Sequence, residues 1–180
     1  MKTKIALIVV GILIISIGIL ALTSPRNFVI EKSVVIEKPR FDVYDKIRLL
    51  KSHEAWNPWA KADPSIKYDW KGTDGTVGFI THWVGNNKVG EGEQEIINMI
   101  EGERIDYEMR FKSPIKSTNT SSLITTENGD TKTKVTWVMK GEMNFPGNIM
   151  FKVFKMQNKL EDDFEEGLNI LKAIMEKGVN

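Results

Sequence analysis

The chain has 180 residues, with 25 lysines and arginines, 24 acidic residues and no cysteine. This length predicts one domain with short appendages, and the balanced charge argues against a nucleic-acid-binding surface. The absence of cysteine excludes a thiol nucleophile, a disulfide framework and a zinc site built on thiolates.

The first predicted element is an apolar helix at the N-terminus. Ile5–Leu22 is an 18-residue stretch without charge, in which Ser16 is the one polar side chain. At about 1.5 Å per residue it forms a helix about 27 Å long, close to the thickness of a bilayer's hydrocarbon core. The stretch is longer than the apolar region of a signal peptide and lacks a clean cleavage site after it, so a retained anchor is favoured over a cleaved signal. We predict a single-pass transmembrane anchor over residues 1–24 and a folded domain over residues 25–180.

The orientation of this anchor follows from its flanking charges. Lys2, Lys4 and the α-amino group favour a cytoplasmic N-terminus and an extracytoplasmic domain, although basic residues also follow the apolar stretch. The linker Thr23–Asn27 spans at most about 17 Å when extended. The domain is therefore expected close to the bilayer, with membrane lipid as its first partner.

Alternation of apolar and polar residues predicts about seven half-buried strands. Glycine- and asparagine-rich turns separate most of them, which implies antiparallel hairpins. The serine- and threonine-rich strand, the sixth of the seven, is predicted to bury little. The predicted strands cover residues 28–37, 66–71, 77–83, 91–100, 105–112, 117–126 and 134–143.

Two stretches have the apolar period of an amphipathic helix. The first is Pro39–Lys51, and the second runs from about residue 146 to 177 as one long helix. Its predicted apolar stripe consists of Phe154, Leu160, Phe164, Leu168, Leu171 and Met175. A long helix of this kind must bury its stripe on the sheet, which predicts an α+β fold. The volume between helix and sheet either fills with side chains or takes a ligand.

The order of these elements, together with four short motifs, resembles the START-like or SRPBCC superfamily, and within it the polyketide cyclase/dehydrase and lipid-transport group. The motifs are Trp56-Asn57-Pro58-Trp59, Gly75-Thr-Val-Gly78 followed by Trp83, Gly90-Glu-Gly92-Glu, and Glu166-Gly-Leu-Asn-Ile-Leu-Lys172. The resemblance implies a helix-grip fold, in which a curved antiparallel sheet wraps a long C-terminal helix. It also implies a deep apolar cavity that binds lipids, sterols or polyketides in many members, some of which are enzymes.

Inward-facing aromatic and sulfur-containing side chains are the candidates for a ligand pocket. The alternative is an ordinary core, since protein interiors normally close-pack. Tyr68 and Tyr107 could give an apolar ligand polar contacts, or could bond to backbone groups instead. The predicted pocket residues are Tyr68, Trp70, Phe79, Trp83, Tyr107, Met109, Trp137, Met139, Phe164 and Leu168, and Phe111 shares their face.

Other candidate chemistry is weaker. Trp56 and Trp59 form either a lid over the cavity or a structural plug between the first helix and the sheet. His53 and His82 are the only histidines, and we expect them to be solvated or locally bonded, with His82 pointing outward. Two distant histidines do not make a metal site, and no catalytic triad, catalytic residue or cofactor motif is predicted.

The sequence therefore predicts a membrane-anchored binding domain for an apolar small molecule or lipid. One alternative is a polyketide cyclase/dehydrase-like enzyme acting on an apolar substrate. The other is a non-catalytic interaction module with a filled core. We expect neither a metal nor a nucleic-acid partner.

Overall fold

The structure, a computed structural model, describes residues 2–177, without the side chains of Leu13, Ile14 and Ile17. Its helices are α1 (Lys2–Thr23), α2 (Arg40–Ile47), a 3₁₀ helix (Leu50–Ala55), α3 (Pro58–Ala62), α4 (Gly147–Val153) and α5 (Met156–Lys177). Its strands are β1 (Asn27–Ile36), β2 (Lys67–Lys71), β3 (Ile80–Val84), β4 (Glu91–Ile100), β5 (Arg104–Ser113), β6 (Ser117–Glu127) and β7 (Thr133–Glu142).

The predicted antiparallel sheet is confirmed. It has seven strands in the order β1-β7-β6-β5-β4-β3-β2, so that only the β1–β7 pair joins strands distant in the chain. The third strand begins at Ile80 rather than at Val77. The residues before it form a turn in which Gly75 and Gly78 have φ values of +75° and +87°, a region that L side chains rarely adopt.

The predicted apolar N-terminal helix is present as α1. Its described isoleucine, leucine and valine side chains, such as Leu7 and Ile12, are largely exposed. The side chain of Asn148 on α4 donates to the carbonyl of Ser24 (3.3 Å), and Lys152 donates to that of Thr23 (3.4 Å). Over the residues that the structure describes, none of the helices has the length and apolarity needed to cross a membrane.

The C-terminal helix differs from its prediction because it is interrupted. Lys155 has a φ of +49°, a left-handed conformation that ends α4 and reorients the chain before α5. Phe154 is consequently 65% exposed instead of facing the sheet. The remaining stripe holds, since Phe164, Leu168 and Leu171 are fully buried against the core.

The first amphipathic stretch is also divided. Helix α2 ends at Ile47, and a 3₁₀ helix continues from Leu50. The carboxylate of Asp74 accepts the backbone N–H of Leu50 at 2.8 Å, which satisfies a donor at the start of this short helix.

The prediction that the serine- and threonine-rich strand buries little is wrong. Strand β6 lies between β5 and β7, and its inner face is buried, with Asn119 and Leu123 4% and 1% exposed. Ser121 and Thr125 are buried and donate to the carbonyls of Val138 (3.0 Å) and Gly102 (2.7 Å). These hydrogen bonds offset the cost of removing the hydroxyls from water, so a strand with few apolar residues can be buried.

A cavity between the sheet and the C-terminal helices

These elements enclose a cavity between the sheet and the C-terminal helices. It has a volume of about 500 Å³, within the range of about 300–1,000 Å³ typical of small-molecule sites. All seven strands contribute to one wall, the 3₁₀ helix and α3 form a second, and α4 with the first half of α5 forms a third. Most of the lining is apolar.

An aromatic cluster closes the cavity at the end next to the second half of α5. Trp137 stacks on Phe164 with 4.0 Å between ring centroids, and Trp56 meets Trp137 edge-on at 5.3 Å. Gly167 allows this packing, because a Cβ there would lie 3.1 Å from the Trp137 ring. The cluster fills the space between helix and sheet, so the cavity is confined to the side of α4.

Six of the predicted pocket residues lie in the cavity wall: Tyr68, Trp83, Tyr107, Met109, Trp137 and Met139. Phe111, on the same face, also lines it. Strand alternation placed these side chains together because residues two apart share one face of a sheet.

Four predicted pocket residues do not line the cavity. Phe164 belongs to the aromatic cluster, where it stacks on Trp137, and Leu168 lies in the packed core. Phe79 precedes β3 and is buried in the same core. Trp70 is 40% exposed on the edge strand β2, with the Lys51 ammonium 4.9 Å from its ring centroid.

Both tryptophans of the Trp-Asn-Pro-Trp motif contact the cavity, but in different ways. Trp56 is 1% exposed and belongs to the aromatic cluster that closes one end of the cavity. Trp59 is half-buried, and its indole N–H donates to the Asp163 carboxylate at 3.1 Å. Burial raises the pKa of Asp163, and this hydrogen bond opposes the rise. Asn57 caps α3 by accepting the backbone N–H of Trp59 at 2.9 Å, which fixes the turn between them.

Several polar groups of the wall are buried without a hydrogen-bond partner among the described residues. They are Trp56 Nε1, Tyr68 OH, Thr81 Oγ1, Tyr107 OH and Asn119 Oδ1. Burial raises the pKa of the Tyr68 phenol to about 12 and raises the pKa of Tyr107 well above its usual value, so both are neutral donors near neutral pH. A buried, unpaired polar group costs about 1–3 kcal/mol, and a cluster of them in one wall is unusual for a simple core.

The two histidines lie in different environments. His53 is buried in the cavity wall, and its Nε2–H donates to the Ile47 carbonyl at 2.7 Å. Burial lowers the pKa of His53 to about 4, so the imidazole is neutral near pH 7. His82 points to the other face of the sheet, as predicted, where Nε2 lies 3.1 Å from the Glu91 carboxylate.

The sequence prediction did not include several polar residues of the wall, among them His53, Thr81, Asn119 and Ser121. A signal for the last two was present, because Asn119 and Ser121 share the strand face of Leu123, which is 1% exposed. They were overlooked because polar side chains do not mark an inner face. Across the described part of the chain, no group of three histidine or acidic side chains is placed to hold a metal ion.

Comparison with known proteins gives matches among solved structures. No family model and no curated protein matches this chain. A protein from Thermobifida fusca, solved in solution by NMR, is 19% identical over 80% of this chain and 90% of its own, with a TM-score of 0.62. The Aha1 dimer from Colwellia psychrerythraea is 15% identical over 85% of this chain and 99% of its own, with a TM-score of 0.56.

The di-domain ARO/CYC StfQ from the steffimycin biosynthetic pathway has the TM-score 0.63 and 12% identity, and the match covers 86% of this chain. It covers 53% of StfQ, so this chain spans about half of that protein. Ara h 8.0201 is 12% identical over 81% of this chain and 97% of its own, with a TM-score of 0.53. At these identities the likeness concerns the fold alone. The chain shares with these proteins the helix-grip arrangement of a seven-stranded antiparallel sheet around a C-terminal helix.

Proposed function

We propose that this chain is a binding domain for a mainly apolar small molecule or lipid, held at a membrane surface. The observation that carries the proposal is the cavity of about 500 Å³, walled mostly by apolar side chains. Such a volume makes the filled-core alternative less favourable, because interiors without a ligand normally close-pack. Burying an apolar ligand there would contribute about 25 cal/mol per Å² of its surface.

The polar groups of the wall indicate what the ligand carries besides its apolar part. Tyr107 and Thr81 offer neutral hydroxyls, and Asn119 offers a carbonyl oxygen, all without partners among the described residues. A hydroxyl or carbonyl group on the ligand would satisfy such groups without bringing a buried charge. We therefore expect an amphiphile with one or two neutral oxygen functions, such as a sterol, an acylglycerol or a polyketide.

Recovery of bound ligand tests this proposal. The full chain, purified in mild detergent and extracted with organic solvent, should release an apolar compound at near-stoichiometric amounts in mass spectrometry. Ser117 lines the cavity, whereas its neighbour Thr118 is exposed on the opposite face of β6. Ser117→Trp should therefore abolish the bound compound, and Thr118→Trp should retain it. A wild-type chain that carries nothing and takes up no apolar dye would contradict the binding function.

The membrane part of the proposal rests on α1. Its described apolar side chains are exposed, and Ile5–Leu22 is uncharged. Each arginine placed in the middle of an inserted helix costs about 2.5–3.5 kcal/mol. Val10→Arg with Ile15→Arg should thus move the full chain from the alkali-resistant membrane fraction to the supernatant, while Val10→Leu with Ile15→Leu should remain in the membrane. Extraction of the unmodified chain by alkali would contradict the anchor.

The second candidate is an enzyme acting on an apolar substrate, as the designation ARO/CYC suggests for StfQ. The observation that favours it is the proximity of His53 and Tyr107, whose ring centroids are 6.1 Å apart in the cavity wall. For an enzyme, Tyr107→Phe should abolish turnover of a polyketide substrate and leave its binding intact. For a binding domain, this substitution should weaken binding, with no turnover in either protein.

A further inference from the structure

One exposed apolar surface lies beside the cavity, formed by Phe145, Met150, Val153 and Phe154, and is called here the α4 surface. We propose that the α4 surface enters the headgroup region of a lipid bilayer and that the cavity opens into that bilayer. The inference rests on the membrane placement of α1 proposed above and adds to it the face by which the domain docks.

The first observation is the exposure of these large side chains. Phe145, Val153 and Phe154 are 61%, 57% and 65% exposed, although they lie within ten residues of one another. Scattered exposed apolar residues are ordinary, but a cluster of phenylalanines on one short helix and its ends marks an interaction surface. The left-handed Lys155 directs Phe154 away from the sheet and thereby forms this cluster.

The second observation joins this surface to α1. Asn148, in the same short helix α4, donates to the carbonyl of Ser24 at 3.3 Å, and Lys152 donates to that of Thr23 at 3.4 Å. The end of α1 and the helix that carries the α4 surface are therefore in contact. If α1 lies in a bilayer, α4 is held at the level where the chain leaves it.

The third observation is charge. Residues 144–160 contain three lysines, Lys152, Lys155 and Lys159, and no acidic residue, although the whole chain has nearly equal numbers of acids and bases. Lysines that flank exposed phenylalanines fit an anionic lipid surface, where the ammonium groups meet phosphates and the rings enter the apolar layer. This pattern favours lipid over a protein partner as the occupant.

The fourth observation ties the surface to the cavity. Met150 and Phe154 line the cavity and are also exposed, as is Ile115 in the loop between β5 and β6. Residues that meet both the cavity and the outside form its rim. An amphiphile could then pass from the bilayer into the cavity along apolar side chains, without crossing water.

Site-specific labelling tests the docking, because the chain has no cysteine. The full chain carrying Phe154→Cys, labelled with an environment-sensitive nitrobenzoxadiazole dye, is reconstituted in vesicles of phosphatidylcholine and phosphatidylglycerol. The control is Lys134→Cys, at an exposed position on β7. We expect the dye at residue 154 to shift to shorter wavelength and to be quenched at least severalfold more by nitroxide lipids than the dye at residue 134.

Vesicle flotation separates the failure of this inference from the failure of the proposed anchor. If the chain floats with vesicles but aqueous iodide quenches both labels equally, the docking surface is wrong and the anchor stands. If the dye at residue 154 is shielded from iodide and also untouched by nitroxide lipids, a protein covers the surface and the inference is overturned. If the chain does not float, the membrane placement itself is wrong.

Charge reversal provides an independent variant. Lys155→Glu with Lys159→Glu should reduce nitroxide quenching at residue 154 severalfold in anionic vesicles and leave it nearly unchanged in pure phosphatidylcholine. The charge-conserving pair Lys155→Arg with Lys159→Arg should behave as the unmodified chain. Equal quenching of all three proteins in anionic vesicles would show that the lysines do not take part in docking.

Discussion

His53 is a titratable group held neutral inside the domain. Its Nε2–H is committed to the Ile47 carbonyl, and its ring packs on Trp56 with 4.5 Å between centroids. Protonation would place a second, unpaired N–H and a positive charge among aromatic rings and apolar side chains. The folded state therefore resists protonation, which makes His53 a source of pH-dependent stability.

The pH dependence has a definite sign. The pKa of His53 falls from 6.5 to about 4 on folding, so the unfolded chain binds more protons between these values. Stability from this residue is complete above pH 6.5 and is lost as the pH falls toward 4, by on the order of 3 kcal/mol. His53→Gln keeps a donor for Ile47 and cannot titrate. The free energy of unfolding of each protein is measured with urea in detergent at pH 7 and at pH 4. Between these two pH values, the free energy of the His53→Gln variant should fall by less than that of the wild type. Equal losses would contradict the buried neutral histidine.

Tyr107 illustrates a conflict between stability and binding. Its hydroxyl is buried and has no hydrogen-bond partner within residues 2–177. Tyr107→Phe should therefore raise the unfolding free energy of the ligand-free protein, by about 1 kcal/mol, while lowering the affinity for an oxygen-containing ligand. Tyr44 is equally buried but does not line the cavity, so Tyr44→Phe serves as the control and should leave affinity unchanged. Thermal unfolding and dye displacement measure the two effects.

Helices α4 and α5 divide what the sequence presents as one amphipathic helix. Phe154 was predicted on the same apolar stripe as Phe164, yet one is 65% exposed and the other fully buried. Phe164→Ala should cost about 3–5 kcal/mol of stability, since it leaves a void beneath the Trp137 ring. Phe154→Ala should change stability by less than about 0.5 kcal/mol and instead weaken vesicle docking. Similar stability losses for the two variants, measured by denaturation in detergent, would contradict the break between the helices.

The strands were predictable because burial on one face forces alternation, which β5 follows closely: Ile105, Tyr107 and Met109 are buried between less buried neighbours. The break at Lys155 was not predictable, because hydrophobic periodicity does not report the backbone conformation of a single residue. The position of each strand in the sheet was also not predictable from the sequence. The hydroxyl-rich β6 lies between β5 and β7 and its inner face is buried. Alternation of apolar and polar residues does not reveal an inner face on which the buried side chains are polar.

The candidate site shows a similar limit. Alternation correctly places Tyr107, Met109 and Trp137 on the inner face, but whether an inner residue meets a cavity or a packed core depends on its neighbours across the fold. Phe164 and Leu168 are inner residues that pack, because Gly167 admits the Trp137 ring beside them. A local pattern does not contain such long-range contacts.

At the scale of the whole molecule, the cavity adjoins the α4 surface, and the α4 surface adjoins the end of α1. The contacts from α4 to Ser24 and Thr23 join these features, and the other face of the sheet carries ion pairs such as that of Arg110 with Glu95 (2.7 Å). This asymmetry is what a domain needs if it exchanges an apolar ligand with a bilayer. If α1 is inserted as proposed, its orientation decides which side of the membrane the cavity faces.

Lys2, Lys4 and the α-amino group should retain the N-terminus in the cytoplasm and place the domain outside, because positive charges flanking a span resist translocation. Alkaline phosphatase fused after residue 180 and expressed in a bacterial host should therefore be active. A green fluorescent protein fused at the same point should not fluoresce. Lys2→Glu with Lys4→Glu leaves Arg26 and the later lysines as the stronger positive cluster, so it should lower phosphatase activity severalfold and raise the fluorescence. A fluorescent fusion of the unmodified chain, with inactive phosphatase, would place the cavity and its α4 surface on the cytoplasmic leaflet instead.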